Sequence, residues 1–351
     1  MSRRQFIKLL LTMLTLAVAA VSGLWKWFAS GIEAHEQPKS PGAGESRGAE
    51  ANIESTQAPV QTEPLLSFMI MSDTHINGGL SEQSDKLRKA LDDVISFEPK
   101  VEALLITGDI TDSGSESDYR EYNKVMKGYK HLPPLHVNMG NHDYYNIWID
   151  KHGQWNKDAM PNGHSDEKSR TTFMAQFGMD QVYHDFRVNG CHIIMLSQET
   201  YVQERPEVGE GAYYSDTQLA WFKQKMEEHR DGSPVFVMIH QPLPAMGQDG
   251  GSHSLIRAKE FRSILQPYKN VFVFSGHRHQ DFRGGQHYTP ESFHWFHNAS
   301  VGRTRSVQPA ISITSQGLYV QVYQDKVVLR GREFMDRTWI KEADWSIPLQ
   351  A

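Results

Sequence analysis

The chain has 351 residues, a formal net charge of -6 and 39% apolar side chains, which suits one large or two ordinary globular domains with a real core. No block of Lys and Arg interrupts the body of the chain, so nothing marks a nucleic-acid-binding surface. Cys191 is the only cysteine, which excludes an intrachain disulfide, and its place beside the apolar run 192–196 predicts a buried, inert thiol.

The N-terminus reads Ser2, Arg3, Arg4, Gln5, Phe6, Ile7, Lys8, and an apolar stretch follows over 9–25. A basic head before an apolar segment is an export signal or an anchor, not part of the fold. The paired arginines with Phe6 and Lys8 resemble the twin-arginine (Tat) signal. That resemblance implies the twin-arginine translocase as a partner and export of the folded chain. Such a route suits a protein that acquires metal before export and has no disulfide. The alternative is an ordinary secretory signal or an anchor helix. Ala17 and Ala19 give one small-x-small cleavage position, and a second ends at Gly31. The apolar span is close to the ~20 residues needed to cross a bilayer, so an uncleaved membrane tether stays open. The expected location is extracytoplasmic, either secreted or associated with the cell envelope.

The domain reading is a signal over 1–32, a linker over 33–64 and a folded domain over 65–351. Residues 33–64 are rich in Glu, Pro, Gly, Ser and Ala and hold no aromatic residue, so they cannot bury enough apolar surface to order themselves.

The folded part opens with a strand predicted over 65–71, ending in Ser72, Asp73, Thr74 and His75. Leu87, Leu91, Val94 and Ile95 at helical spacing predict a helix over 81–97, with Ser81 or Ser84 as cap and Pro99 as stop. The apolar run 103–106 suits one buried strand and is too short for a helix. Gly108 and Asp109 follow it at once. A polar second helix is predicted over 115–127. A strand over 135–139 then ends in Gly140, Asn141, His142 and Asp143. Residues 144–170 show no period and read as a long loop, of a kind that is usually functional or mobile.

A strand is predicted over 192–196, and Ser215 with Gln218 forms a capping box before Leu219, Trp221, Phe222 and Met226. The unbroken apolar runs 235–239 and 271–274 suit central strands covered on both faces. The first ends in His240, Gln241 and Pro242, and the second in Ser275, Gly276, His277, Arg278 and His279. A Gly-rich loop over 245–252 lies between them. The tail is strand-like, with a strand over 292–297 and a hairpin over 319–329 that turns at Gln324 and Asp325. Strands alternating with helices, then a strand-rich tail, predict a sheet-rich α/β domain with helices outside.

Five strand ends thus present Asp73 and His75, Asp109, Asn141 and His142, His240, and His277 and His279. In α/β sheets that edge is where ligands bind. His, Asp and Asn together suit divalent ions such as Mn, Fe and Zn. One carboxylate between two ions bridges them, and two ions about 3.5–4 Å apart clamp a phosphate and generate hydroxide near neutral pH. Taken singly, each residue reads as a turn, a cap or an ordinary histidine. Asp112 reads equally as a contact behind the ligands or as a solvated turn residue. Tyr144, Trp148, His164 and His253 lie in loops that could cover the site, with packing or solvent as the default role of each.

Asp-x-His at 73–75, Gly-Asp at 108–109, Gly-Asn-His-Asp at 140–143, His240 and Gly-His-x-His at 276–279, in this order, resemble the calcineurin-like metallophosphoesterase superfamily. The resemblance implies a two-sheet sandwich flanked by helices, the four-layer αββα fold, with two divalent metal ions at the strand ends. It implies Asp73, His75, Asp109 and His279 around one ion. Asp109, Asn141, His240 and His277 would surround the other, with Asp109 bridging. His142 and Asp143 would be catalytic: His142 contacts the phosphate or protonates the leaving group, and Asp143 orients His142.

Departures from other branches narrow the reading. Ser113 stands where protein Ser/Thr phosphatases carry Arg, and Asp112 stands where purple acid phosphatases carry a Tyr ligand. The forms around His75, Asn141 and His240 are most similar to the cyclic-nucleotide phosphodiesterase branch. The expectation is an exported phosphoesterase, with diesters favoured over monoesters. Hydroxide generated on the metals attacks phosphorus in line. Its location suggests a small-molecule or envelope-polymer ester: teichoic acids, phospholipids or extracellular nucleotides. A non-catalytic, envelope-tethered binding protein is the competing expectation, and the complete ligand set argues against it.

Overall fold

Along β1 (Leu66–Met71) side chains alternate between two apolar layers. Met69 and Met71 share a cluster with Leu87, Leu91 and Val94 of helix α1 (Glu82–Val94) and with Tyr119, Tyr122 and Val125 of α2 (Glu116–Met126). Leu66, Phe68 and Ile70 point the other way, into a layer with Phe236, Met238, Phe272, Phe274 and Phe296. Each of these buried phenylalanines contributes on the order of 2–3 kcal/mol of apolar transfer. The computed structural model that carries this arrangement describes residues 63–307 and 313–350.

One sheet has the order β12-β11-β10-β1-β2-β3, where β2 is Ala103–Thr107, β3 Leu135–Asn138, β10 Gln316–Val322, β11 Lys326–Glu333 and β12 Thr338–Pro348. The other has the order β4-β5-β6-β7-β9-β8, with β4 His184–Val188, β5 Cys191–Met195, β6 Val235–Met238, β7 Val271–Ser275, β8 Tyr288–Pro290 and β9 His294–His297. Val235, Val237, Val271 and Val273 turn outward onto Leu219 and Phe222 of α4 (Asp216–Met226) and Phe261 and Leu265 of α5 (Ala258–Leu265). Helices, sheet, sheet and helices therefore stack as four layers, as expected.

The core of each sheet is parallel: β1, β2 and β3 in one, and β5, β6, β7 and β9 in the other. Parallel strands place their carboxyl ends along a common edge, which is where the polar motifs lie. Cys191 is buried at the start of β5, and burial raises its thiol pKa to about 11.

Several expectations need correction. The stretch read as a loop over 144–170 runs into helix α3 (Asp166–Phe177), capped by Ser165 and ended by Gly178 in the left-handed region. Its buried positions are only Asp166, Ser169 and Phe173, so it carries no apolar stripe to read. The edge strand β12 was not legible because it buries little beyond Ile340 and Ala343. The capping box at Ser215 forms only in part. Ser215 accepts the Gln218 N–H at 3.1 Å, but the Gln218 side chain instead bonds both backbone groups of Ser197 at 2.9 Å.

The membrane expectation is also corrected: among the described residues no helix is long and apolar enough to cross a membrane. α1, at 13 residues, is far short of the ~20 that a span requires. The segments read as signal and, apart from Glu63 and Pro64, as linker lie outside the described residues.

Candidate metal centre

The candidate ligands sit where the chain turns sharply out of a strand. Asp73, His75, Asp109, His277 and His279 have φ of 53°, 47°, 51°, 69° and 52°, and they are five of the nine non-glycine residues with positive φ among those described. Such a conformation costs of order 1–3 kcal/mol per residue and clusters at functional sites. The turns stay tied to one another: the Asp73 N–H donates to Gly108 O at 3.1 Å and the His75 N–H to Asp109 O at 3.0 Å.

Two glycines make room for this crossing. A Cβ on Gly140 would lie 2.2 Å from Asp109 Oδ1, and one on Gly108, at φ +79°, would lie 2.4 Å from His240 Nδ1. The Gly140 Cβ would also lie 2.6 Å from the Asp109 backbone N, and the His240 ring is held on Thr107 O, so neither neighbour can simply swing aside and both positions favour glycine.

The turned side chains form two donor sets. In the first, His279 Nε2 lies 2.9 Å from His75 Nε2 and 3.0 Å from Asp73 Oδ1. His75 Nε2 is also 3.7 Å from Asp109 Oδ2. In the second, His240 Nε2 lies 3.2 Å from that same Asp109 Oδ2 and 3.2 Å from Asn141 Oδ1. Asn141 Oδ1 is 2.9 Å from His277 Nδ1. Donors held about 2.0–2.2 Å from one ion lie about 3.0–3.4 Å from their neighbours in octahedral or tetrahedral geometry. Most of the observed spacings, 2.9–3.2 Å, lie close to that, with His75 Nε2 set wider at 3.7 Å from Asp109 Oδ2 and 3.9 Å from Asp73 Oδ1, and Asp109 is common to both sets. The cluster is that of a binuclear divalent-metal site.

Contacts behind the donors fix which atom faces inward. His240 Nδ1 donates to Thr107 O at 2.7 Å, which leaves Nε2 as the donor atom toward the site. The Asp73 carboxylate accepts the His277 N–H at 3.1 Å. Burial raises the Asp73 pKa, but His279 outweighs it and holds the carboxyl at about 2. Asp109 is likewise held well below the usual range despite burial, chiefly by His240 and then His142. Burial, followed by neighbouring histidine charge, lowers His75 to about 4 and His277 to about 3, so both stay neutral and able to ligate. His240 is raised to about 9, because Asp109 more than offsets the opposing effect of burial. A metal entering the second set therefore displaces a proton.

His142 stands beside both sets, its ring 4.4 Å from that of His75. Its Nδ1 is 2.9 Å from Asp112 O and 3.4 Å from the Asp112 carboxylate, which leaves Nε2 as the outward atom. Burial pulls the His142 pKa down, but Asp109 and then Asp112 raise it above the ordinary imidazole value.

The orienting role expected of Asp143 is corrected. Its carboxylate accepts the Thr111 N–H at 3.0 Å, the Thr111 hydroxyl at 2.8 Å and the Gly140 N–H at 3.1 Å. It anchors the two turns instead of the imidazole, and burial, reinforced by Asp109, raises its pKa to about 6. Asp112 takes the orienting position. It also lies 3.5 Å from His75 Nδ1 and pairs with Arg303 at 2.7 Å.

The covering loops divide. Tyr144 is fully buried and donates to Gln198 O at 2.9 Å, so it packs the core. Trp148 donates to Tyr201 at 3.3 Å, and the His164 backbone N–H bonds Asn162 at 3.0 Å; neither contact touches a donor. The exposed His253 ring lies 6.2 Å from that of His277 and borders the site. Sequence reasoning missed Arg303, Glu210 and Tyr145. Arg303 and Glu210 reach the site from loops that carry no metal-ligand motif, so spacing offered no signal, whereas Tyr145 lies in the 3-10 turn His142–Trp148 directly after Gly-Asn-His-Asp, where its side chain had no pattern to mark it.

Comparison with known proteins agrees with this architecture. Residues 66–281 match the family model described as calcineurin-like phosphoesterase. The chain is 35% identical over 219 residues to a probable glycerophosphodiester phosphodiesterase, GpdQ, of Arcobacter nitrofigilis, covering 60% of this chain and 70% of that protein. It is 22% identical over 215 residues to a probable cyclic nucleotide phosphodiesterase of Rhodococcus erythropolis, covering 60% of this chain and only 63% of that protein's length. Among solved structures, a dimetal phosphatase from Danio rerio superposes with a TM-score of 0.59 at 14% identity, over 82% of this chain and all of the other, which is a likeness of fold. The family match covers well over half of the chain and contains every one of the converging donors: this protein belongs to the calcineurin-like phosphoesterases.

Proposed function

We propose that this protein is an exported, dimetal-dependent phosphoesterase that acts on phosphodiesters. The observation that carries the reading is the pair of donor sets that share Asp109 Oδ2, with the His142 ring beside them. Asp73, His75, Asp109 and His279 are assigned to one ion, and Asp109, Asn141, His240 and His277 to the other. Two divalent ions so held would supply Lewis-acid polarisation of the phosphoryl oxygens and would lower the pKa of water near them.

The chain's own residues supply the rest. His142 has its Nδ1 engaged by Asp112, so its Nε2 is the atom available to protonate a departing alkoxide. The raised pKa of His142 favours the protonated form that this step uses. Asp112 is a positioning residue acting through His142, and the carboxylate of Asp143 holds the turn on which His142 stands. The names of the Arcobacter and Rhodococcus relatives describe phosphodiesterases and support the diester preference. The Arg3-Arg4 signal pattern supports export by the twin-arginine route.

The test is metal reconstitution of the full chain. Stripped protein is supplied with Mn, Fe, Zn or Mg and assayed on bis-p-nitrophenyl phosphate and p-nitrophenyl phosphate. Metal-dependent turnover of the diester above the monoester is expected. A monoester preference overturns the diester reading. Two bound ions with no turnover on either substrate, or on natural diesters, favours a binding protein.

A further inference from the structure

We infer that Glu210 is a positioning residue for the second metal ion, acting through Asn141. The inference rests on the two-ion reading above. Asn141 is the weakest of the assigned donors, because a neutral amide oxygen carries neither the charge of a carboxylate nor the basicity of an imidazole. An amide can also turn over and present its NH2 group to the metal. Something must fix its orientation and strengthen its oxygen.

Glu210 is placed to do both. Its Oε2 accepts from Asn141 Nδ2 at 2.6 Å, the spacing of a charge-assisted hydrogen bond. That bond commits the amide nitrogen outward and leaves Oδ1 at 2.9 Å from His277 Nδ1 and 3.2 Å from His240 Nε2. A carboxylate that accepts from the NH2 group polarises the amide and shifts electron density onto Oδ1, which is how a carboxylate behind a ligand raises its donor strength. The same carboxylate accepts from the Tyr201 hydroxyl at 3.0 Å and from the Tyr145 hydroxyl. All of these donors are neutral, so none of them balances the carboxylate charge. A divalent ion held by Asn141 Oδ1 would.

The backbone holds Glu210 in place. Its N–H donates to Ser252 O at 2.8 Å, and its carbonyl accepts from Gln241 Nε2 at 3.3 Å. Gln241 is the residue after the donor His240, so the loop that carries Glu210 is fastened to the strand end that carries a ligand. Tyr145 extends the arrangement: its ring lies 4.0 Å from that of His142 while its hydroxyl serves Glu210. One carboxylate therefore joins the ligand Asn141 to the wall against which the proton donor packs.

The experiment is a Mn2+ titration of the metal-stripped full chain by calorimetry, with the bound metal counted, for wild type, Glu210→Gln and Glu210→Ala. Wild type is expected to bind two ions. The first ion should bind with unchanged affinity in both variants. The second should weaken by about 10–100-fold in Glu210→Ala, the range usual for carboxylates behind a ligand. Glu210→Gln keeps an acceptor but loses its charge, and should fall between the two. This grading separates positioning from simple damage to the fold, and the near-isosteric Gln variant carries the test if the Ala variant does not fold. Wild-type affinity for the second ion in both variants overturns the inference, as does equal weakening at both sites in the Gln variant. A wild type that binds fewer than two ions overturns the two-ion reading itself.

Discussion

Asp109 accepts the backbone N–H of His142 on Oδ1 at 2.9 Å, and this leaves Oδ2 as the oxygen that faces both donor sets. The turn carrying His142 thereby sets the rotation of the shared carboxylate. In the proposed reaction, metal bridging and leaving-group protonation would both depend on this one contact.

Asp109→Asn tests the sharing. It removes the charge between the two ions and leaves an amide that cannot serve both. Metal content is expected to fall below two ions per chain, and turnover by at least about 100-fold, the upper end of losses seen when a metal's surroundings are altered. Metal counting beside the diester assay checks it. Full metal content with full turnover rejects the bridging role.

Asp112 and Asp143 are predicted to separate cleanly. Asp112→Asn loosens the His142 imidazole and should lower kcat by about 10–100-fold while the fold and first-ion affinity persist. Its pH–rate profile should also shift, since Asp112 helps raise the His142 pKa. Asp143→Ala removes the acceptor of the Thr111 and Gly140 N–H groups. It should lower thermal stability first, because a buried donor left unpaired costs about 1–3 kcal/mol. A kcat loss without a melting shift in Asp143→Ala would return the orienting role to that residue.

Gly140→Ala places a Cβ 2.2 Å from Asp109 Oδ1 and 2.6 Å from the Asp109 backbone N, so the turn that carries the shared carboxylate must move to relieve the clash. The expected result is a folded protein whose second ion is lost. Circular dichroism and metal counting decide it; unchanged metal binding would mean that the turn yields without moving Asp109.

Metal should stabilise the folded chain. The donors are assembled from strand ends far apart in sequence, so the unfolded chain offers no comparable site. An ion present at 100 times its dissociation constant adds about 2.7 kcal/mol by mass action. The melting temperature should rise with Mn2+ concentration and fall with chelator. A melting temperature indifferent to both would show that the turns with positive φ hold their shape without ions.

Away from the centre, His192 and His229 form a buried pair, with Nδ1 of one 2.7 Å from Nε2 of the other. Burial, then the proximity of His192 and Arg187, lowers His229 to about 4. A folded histidine with a lowered pKa binds fewer protons than the unfolded chain between about pH 6.5 and about 4. Its contribution is therefore fully present above about pH 6.5 and is lost as pH falls toward about 4. Melting temperatures measured in chelator should decline over that window, and His229→Gln should flatten the decline while lowering the neutral-pH baseline. An equally steep decline in the variant would assign the effect to other groups.

Much of the site was legible because the family of strand-end turns is local. Asp73 with His75, Gly108 with Asp109, and His277 with His279 each lie within three residues of one another and follow apolar runs that can only be buried strands. The run 235–239 is apolar throughout, which is what a strand covered on both faces requires, and its residues do divide between two clusters. Side-chain chemistry and strand periodicity are short-range properties, so the sequence alone determined the donor set, the sheet-rich α/β class and the edge on which the donors gather.

Which carboxylate serves which neighbour was settled only by tertiary structure. Asp112 follows the Gly-Asp motif and Asp143 closes Gly-Asn-His-Asp, and nothing in their spacing says that one turns toward His142 and the other toward the backbone of Thr111 and Gly140. Glu210 lies 69 residues from Asn141 and meets it only because two loops cross. Helix α3, with its few buried side chains, and the exposed edge strand β12 acquire their places from packing rather than pattern. Contacts between distant residues depend on how whole layers stack and on which orphaned donors each turn must satisfy. That competition is resolved only in three dimensions.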